Sequence, residues 1–483
     1  MIVLLIVLVI VLVIVIVSKR ILMMLKLSSM RYNRIRSPYP FLVLLSTFLV
    51  SIRTMKSASI SSVLSSTYIA GTNKEYSSLP DDYILEKVIV IHRHGDRAQI
   101  QKEIGPNYPE HDSVTKVWME RLPDDSTMKA MYNVASTGSS QTQQFDTDIK
   151  KELYSGFDSL SYPYAQLTQI GSEQLTQVGA ELRKRYIENG LLLSPETKLD
   201  SVSSSLYLRS TNICRTLQSL RSLLVGFFGT DEKVPHDKLP VINTVPKLKE
   251  VLFPQGDGPC KPFSERRQEL LAATPLTSLP GYNELESRMK SLLGYTDKVN
   301  WLTVKEILTC HAVHGIDYIK NTTKEDEEAV TKLTGWLWGL LYNDDVLNKL
   351  AIGRFLNELL SQVDGDDKKI YIYSGHDSTL VPVLCVLGIY DNIWPPYSSY
   401  LTIEIAVSKT SNQRFVRATY NDRDAVMTAV EDNNSLWCPY EKFINRLKSM
   451  SLTYEQYQQI CDTTCDSDNN KVEDDNDVKA TIA

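Results

Sequence analysis

One stretch constrains this chain more than any other: Lys87-Val88-Ile89-Val90-Ile91-His92-Arg93-His94-Gly95-Asp96-Arg97. Its first half is apolar and β-branched, the composition of a strand, and it stops at a glycine where two histidines and two arginines arrive together. A buried strand therefore ends in a cationic loop. In open α/β sheets ligands bind in the crevice beyond the carboxyl ends of the strands, so this loop predicts a site for an anion. Arg93 and Arg97 offer forked donors that match phosphate or carboxylate oxygens, and Gly95 lets the backbone turn and approach a ligand closely. The chemistry this suggests is phosphoryl transfer to His94.

Two more junctions of the same kind follow. Ser205-Leu206-Tyr207-Leu208 reads as a strand that delivers Arg209-Ser210-Thr211, and an amphipathic helix is predicted from about Asn212 to Phe228, closed by Gly229. Lys368 to Tyr373 reads as a third strand, followed by Ser374-Gly375-His376-Asp377-Ser378 and a helix through Val386. Three strands ending in phosphate-competent residues imply one site. Between the first two, Gln166 to Arg185 is strongly helical with Thr168 as its N-cap. Leu401 to Val407 and Phe415 to Tyr420 read as a late β-hairpin. The expected fold is α/β, a mixed, mainly parallel central sheet flanked by helices. Residues 235–361 are dominated by helical segments with Trp301, Trp336 and Trp338, and predict a cap over the pocket.

The ends of the chain read differently. Met1 to Val17 is almost purely Ile, Leu and Val, and a second apolar run, Phe41 to Ile52, follows Met30 and three arginines. Residues 1–58 are expected to be a signal peptide or signal anchor, with Met30 the working start and Ser57-Ala58-Ser59 a cleavage region. Basic flanks stay cytoplasmic, so the catalytic domain is expected in the lumen or outside the cell, anchored by one span or secreted after cleavage. Residues 59–80 form a Ser-rich linker, 81–461 the catalytic domain, and 462–483 an acidic, disordered tail. A formal net charge of −6 and no basic stripe beyond the N-terminus argue against a nucleic-acid partner. Seven scattered cysteines exclude a zinc ribbon, and their odd number leaves at least one unpaired within the chain. Cys385 reads as a buried thiol, and Asn321 and Asn433 open glycosylation sequons.

The spacing Arg93-His94-Gly95-x-Arg97 resembles the signature of the histidine acid phosphatases, branch two of the histidine phosphatase superfamily, with Gln99 where that pattern continues with proline. The resemblance extends over about Asp81 to Cys461 and implies a phosphoglycerate-mutase-like fold with catalytic residues Arg93, His94, Arg97, Arg209, His376 and Asp377. Within the family, Arg209-Ser210-Thr211-Asn212-Ile213, Leu387 to Asp391, Trp394-Pro395-Pro396 and Leu436-Trp437-Cys438-Pro439 resemble the lysophosphatidic acid phosphatase group. A monomeric hydrolase of small phosphomonoesters is implied, with lysophosphatidic acid, inositol or sugar phosphates as candidate substrates.

On this reading Arg93, Arg97, Arg209 and His376 bind the phosphoryl oxygens, and neutral His94 attacks phosphorus with its other ring nitrogen tied to a backbone carbonyl. Asp377 protonates the leaving oxygen and then activates water, and the scheme calls for no metal or other cofactor. The plainer readings are a packing role for His92, an ion-paired Arg209 and a helix-capping Asp377. His92-Arg93-His94-Gly95-Asp96 also resembles the opening of a metallohydrolase pattern, and His311 and His314 have helical ligand spacing. A phospho-ligand-binding protein without turnover is the alternative from another class, and it would need no intact pair of nucleophile and proton donor.

Overall fold

The computed structural model describes residues 77–137, 162–229, 234–246, 249–254, 260–365, 368–431 and 435–462, all within the unit Tyr68–Ala483. The expected leader, most of the linker, all of the acidic tail but Asp462, and Asn433 lie outside these residues. Among the described residues no helix is long and apolar enough to cross a membrane.

In chain order the strands are β1 (Tyr83–Arg93), β2 (Ser136–Thr137), β3 (Leu206–Ser210), β4 (Val241–Asn243), β5 (Ile370–Gly375), β6 (Tyr400–Ser408), β7 (Arg414–Tyr420), β8 (Arg423–Ala425) and β9 (Cys438–Pro439). The longer helices are α1 (Asp112–Arg121), α2 (Asp125–Tyr132), α3 (Gln169–Arg183), α4 (Cys214–Phe228), α5 (Lys261–Ala273), α6 (Tyr282–Leu293), α7 (Trp301–His314), α8 (Lys324–Tyr342), α9 (Asp345–Gly365), α10 (Asp377–Leu387), α11 (Tyr440–Met450) and α12 (Tyr454–Asp462). The sheet runs β2-β4-β3-β5-β1-β6-β7-β8, with β9 added to β7. The half from β2 to β1 is parallel, and β6 onward is antiparallel.

The middles of β1 and β5, in the parallel half, are continuous apolar runs because both faces are covered there. Side chains alternate across a strand. Ile89, Ile91, Tyr371 and Tyr373 pack on one face with α9, α10 and α11, while Val88, Val90, Ile370 and Ile372 pack on the other with α3 and α4. Val88 through Ile91 and Ile370 through Tyr373 are each at most 2% exposed.

Several boundaries follow from local chemistry. Thr168 caps α3 by accepting from the Gly171 backbone N–H, which ends the preceding extended segment where the first helical donors need an acceptor. Gly229 closes α4 at φ +80, a conformation that favours glycine. α4 is amphipathic as expected, but its polar side is covered as well, since every residue from Cys214 to Leu224 is buried.

The stretch 235–361 divides into parts. β4 joins the sheet, α9 lies on a sheet face, and α5 to α8 form two satellite clusters beside it. Trp301 and Trp338 sit inside those clusters as core. A Cys260–Cys461 disulfide ties the start of α5 to α12, and the buried Cys214, Cys310, Cys385 and Cys438 take part in no disulfide among the described residues. Within the expected linker, Ser77 is fastened by hydrogen bonds from its N–H (2.7 Å) and its hydroxyl (2.6 Å) to Asp424.

Candidate active site

β1, β3 and β5 are neighbours in the parallel half, so their carboxyl ends share one edge of the sheet. Register makes them nearly level: Arg93 pairs with Gly375, and Ser210 with Ser374. His94, Thr211 and His376 therefore emerge side by side. The His94 ring is buried, with Nδ1 2.8 Å from the Gly95 carbonyl oxygen. A carbonyl only accepts, so the ring proton stays on Nδ1 and the Nε2 lone pair is left for an electrophile. The loop is pressed against α3: a Cβ on Gly95 would lie 2.3 Å from the Gly171 carbonyl oxygen, and one on Gly171 would lie 2.1 Å from that of Asp96. The Gly95 N–H donates to Ser219 of α4 at 3.0 Å.

Arg93 extends one guanidinium arm to Asp377 (2.8 Å) and the other to the Pro395 carbonyl (2.6 Å). Its face lies 4.2 Å from the Tyr397 ring centroid. Arg97 is bound to Glu306 and donates to the Ala98 carbonyl at 3.1 Å. The Nε of each arginine is buried with no partner among the described residues, so each keeps a donor for a ligand.

The His376 ring is 5.4 Å from that of His94, centroid to centroid, and stacks on Phe253 at 4.5 Å. Its Nε2 is 3.0 Å from the Thr211 hydroxyl. Asp377 is the first residue of α10 and His376 caps it, so the carboxylate is not the helix cap. Asp377 keeps 20% of its side-chain surface exposed against 2% for Arg93, which leaves the carboxylate in reach of water.

Arg209 is not part of this cluster. Still inside the ladder, paired with Tyr373 and Asn243, it turns to the α9 face, where Glu250 binds it at 2.7 Å and Glu358 at 3.4 Å. Its donors are taken by carboxylates, which is the ion-paired reading. The arginine at the sheet edge is Arg215, six residues on and in the first turn of α4, with Nη2 3.5 Å from His376 Nδ1. A helix that starts at a strand end presents its first turn to the crevice, and that signal was available in Arg209-Ser210-Thr211-Asn212-Ile213-Cys214-Arg215.

Burial and then Arg215, Arg93, Arg97 and His376 hold His94 well below the usual imidazole range. His376 is lowered in the same way by burial, Arg215, Arg97 and Arg93. Both rings are neutral. Burial alone would raise the Asp377 carboxyl, but Arg93, Lys305 and Arg97 outweigh it and hold it below the usual carboxylate range.

The other histidines do plainer work. His92 is buried with Nδ1 on the Arg93 carbonyl (3.0 Å), and burial takes it down to about 4. His311 donates to Gln99 Oε1 (2.8 Å), which also accepts from Trp118 (3.2 Å), while His314 donates to Asp96 (2.6 Å). The helical histidine pair therefore braces the signature loop from α7, and Gln99 supplies through side-chain bonds the anchorage that proline would have given through its ring. Among the described residues no three His, Cys, Asp or Glu side chains are grouped to hold a metal ion.

An imidazole with its Nε2 lone pair left over, a nearby carboxyl and converging cationic donors at one sheet edge suit the handling of a phosphoryl group. Residues 84–421 match the model of the histidine phosphatase superfamily, branch 2, and the chain belongs to that family. Its reaction is the hydrolysis of phosphomonoesters. Lysophosphatidic acid phosphatase type 6 from Bos taurus is 29% identical over 400 residues, covering 78% of this chain and 86% of the bovine protein. Prostatic acid phosphatase from Mus musculus is 28% identical over 308 residues, covering 59% of this chain and 77% of its own. Among solved structures, the apo form of Hafnia alvei phytase superposes with a TM-score of 0.53 at 15% identity, over 78% of this chain and 98% of the phytase, a likeness of fold alone.

Proposed function

We propose that the chain hydrolyses phosphomonoesters through a phosphohistidine at His94, with lysophosphatidic acid-type esters as the substrate class. The observation that carries this is the His94 ring, tied through Nδ1 to Gly95 and facing His376, with Asp377 held beside it by Arg93. A phosphoryl group is costly to transfer because its charge must be neutralised while an alkoxide leaves. Arg93, Arg97, Arg215 and His376 would bind the equatorial oxygens, replacing Arg209 in the set expected from sequence. His94 Nε2 attacks phosphorus, the N–P bond forms, and the ester P–O bond breaks as Asp377 gives its proton to the alcohol oxygen. Water then attacks phosphorus and returns a proton to Asp377. The N–P bond breaks and inorganic phosphate leaves.

The relatives at 28–29% identity are lysophosphatidic acid and prostatic acid phosphatases, whereas the phytase likeness stops at fold. That difference favours the lipid-type ester over inositol or sugar phosphates. The test is release of phosphate from an aryl ester at mildly acidic pH with chelator present, comparing the wild type with His94→Ala. Chelator-resistant turnover should fall by at least about a thousandfold in the variant. A folded wild type without turnover would instead favour a binding protein.

For the N-terminal 58 residues the proposal remains a signal or anchor that places a monomeric catalytic domain in the lumen or outside the cell. The Cys260–Cys461 disulfide supports that placement, since such bonds persist in oxidising compartments.

A further inference from the structure

The mechanism leaves one buried cation at the site without a task. Lys305 on α7 is 4% exposed and forms no hydrogen bond or ion pair among the described residues. Its ammonium lies 4.4 Å from the ring centroid of Trp394, which packs at a tilt against Trp338 with 4.6 Å between centroids. The indole N–H of Trp394 is also buried without an acceptor among the described residues. A buried ammonium is destabilising unless an oxygen meets it, and a purely structural lysine would carry one from the protein. Two donors that share a wall and lack acceptors indicate a ligand with oxygens to give.

The electrostatics say where that ligand sits. Apart from burial, the groups acting on Lys305 are Arg93, Asp377, Cys310 and Arg97, and after Arg93 it is Lys305 that most lowers Asp377 among the charged groups. Asp377 must face the ester oxygen it protonates, so Lys305 stands on the alcohol side of the phosphate pocket. Trp394 and Pro395 are consecutive, and the Pro395 carbonyl holds Arg93 at 2.6 Å, so this wall borders the phosphate pocket directly. Burial and Arg93 bring the Lys305 ammonium down to about 7, which leaves it a cation in mild acid.

We propose that Lys305 determines specificity for the alcohol, donating to an oxygen of the leaving group beyond the ester oxygen, such as a hydroxyl or acyl carbonyl on a glycerol-type backbone. Phosphomonoesters carrying further oxygens on the alcohol are then preferred over plain alkyl phosphates. This deepens the phosphatase reading and rests on Asp377 as the proton donor.

The test compares glycerol 3-phosphate with propyl phosphate, which differ in the added hydroxyls and not in chain length. Wild type should show the higher kcat/KM for glycerol 3-phosphate. Lys305→Met, similar in volume and uncharged, should melt no lower than wild type. It should lose about ten- to a hundredfold on glycerol 3-phosphate and only a fewfold on propyl phosphate, the ratio removing any general effect on Asp377. Lys305→Arg should recover part of the preference. Parallel losses on both esters, or a wild type with no preference, would overturn the proposal whether or not the variants fold. A wild type inactive on both would remove the phosphatase reading itself, and the proposal with it.

Discussion

The sheet edge at β1, β3 and β5 and the helix α7 that faces it meet at one site, yet they supply their chemistry in opposite ways. At the edge each functional residue follows an apolar strand, so its place in the chain gives its place in space: His94 after β1, His376 and Asp377 after β5. α7 is buried along nearly its whole length, and Lys305, Glu306, Cys310, His311 and His314 are polar residues set among core positions. The edge carries groups with unused donors. α7 carries groups that restrain the edge, Glu306 on Arg97, His311 on Gln99 and His314 on Asp96. Catalytic and restraining residues are both buried here, and burial alone does not separate them. What sets Glu306, His311 and His314 apart is that each is bonded to the signature loop, at Arg97, Gln99 and Asp96.

Variants can test that division, beginning with the largest expected effect. Asp377→Asn should lower kcat on an alkyl phosphate by about a hundred- to ten-thousandfold, and much less on an aryl phosphate whose leaving group needs no proton. Equal losses on both esters would place Asp377 outside the proton transfer. Next comes the pair of arginines. Arg215→Ala should cost about a hundred- to a thousandfold in kcat/KM with little change in stability. Arg209→Ala should leave Glu250 and Glu358 buried without a partner and destabilise by about 3–5 kcal/mol, while activity per folded molecule holds. The reverse pattern, read by turnover and denaturant titration, would restore Arg209 to the site.

The pH profile is a finer probe. Asp377 donates only when protonated, and its carboxyl is held below the usual range, so kcat/KM should already be falling as pH rises through the acid range and should go on falling toward neutrality. His94, held well below the imidazole range, stays neutral in mild acid and should impose no loss there. A rate that climbs steadily into alkaline pH would refute these assignments. The smallest effect belongs to the restraining side: Gln99→Ala removes the acceptor shared by Trp118 and His311 and should cost about 1–3 kcal/mol of stability with kcat within a fewfold.

The same division explains what could be read from the chain beforehand. Periodicity placed β1, β3, β5 and the β6–β7 hairpin, and the Thr168 cap placed the start of α3, because each depends on neighbours in sequence. Arg209 was misplaced because a strand's end in sequence is not its end in the ladder: two further residues carry β3 to the edge, and the side chain of Arg209 falls on the α9 face. Phe253 under His376 and Glu306 on Arg97 come from more than a hundred residues away in the chain, and Lys305 acts on Asp377 from 72 residues away. Only the packed fold brings them in, so no local pattern announces them.

The contact between Gly95 and Gly171 has a consequence for how this site can vary. Two backbones touch there without any side chain between them, the loop of the nucleophile on one side and the opening turn of α3 on the other. A methyl group at either position would have to displace carbonyl groups rather than rotate a flexible neighbour. Neither residue can therefore change first, and the second cannot change to accommodate it. Diversification of this enzyme is channelled away from the His94 loop and toward surfaces such as α7, where side chains can be exchanged singly while the strand ends keep their positions.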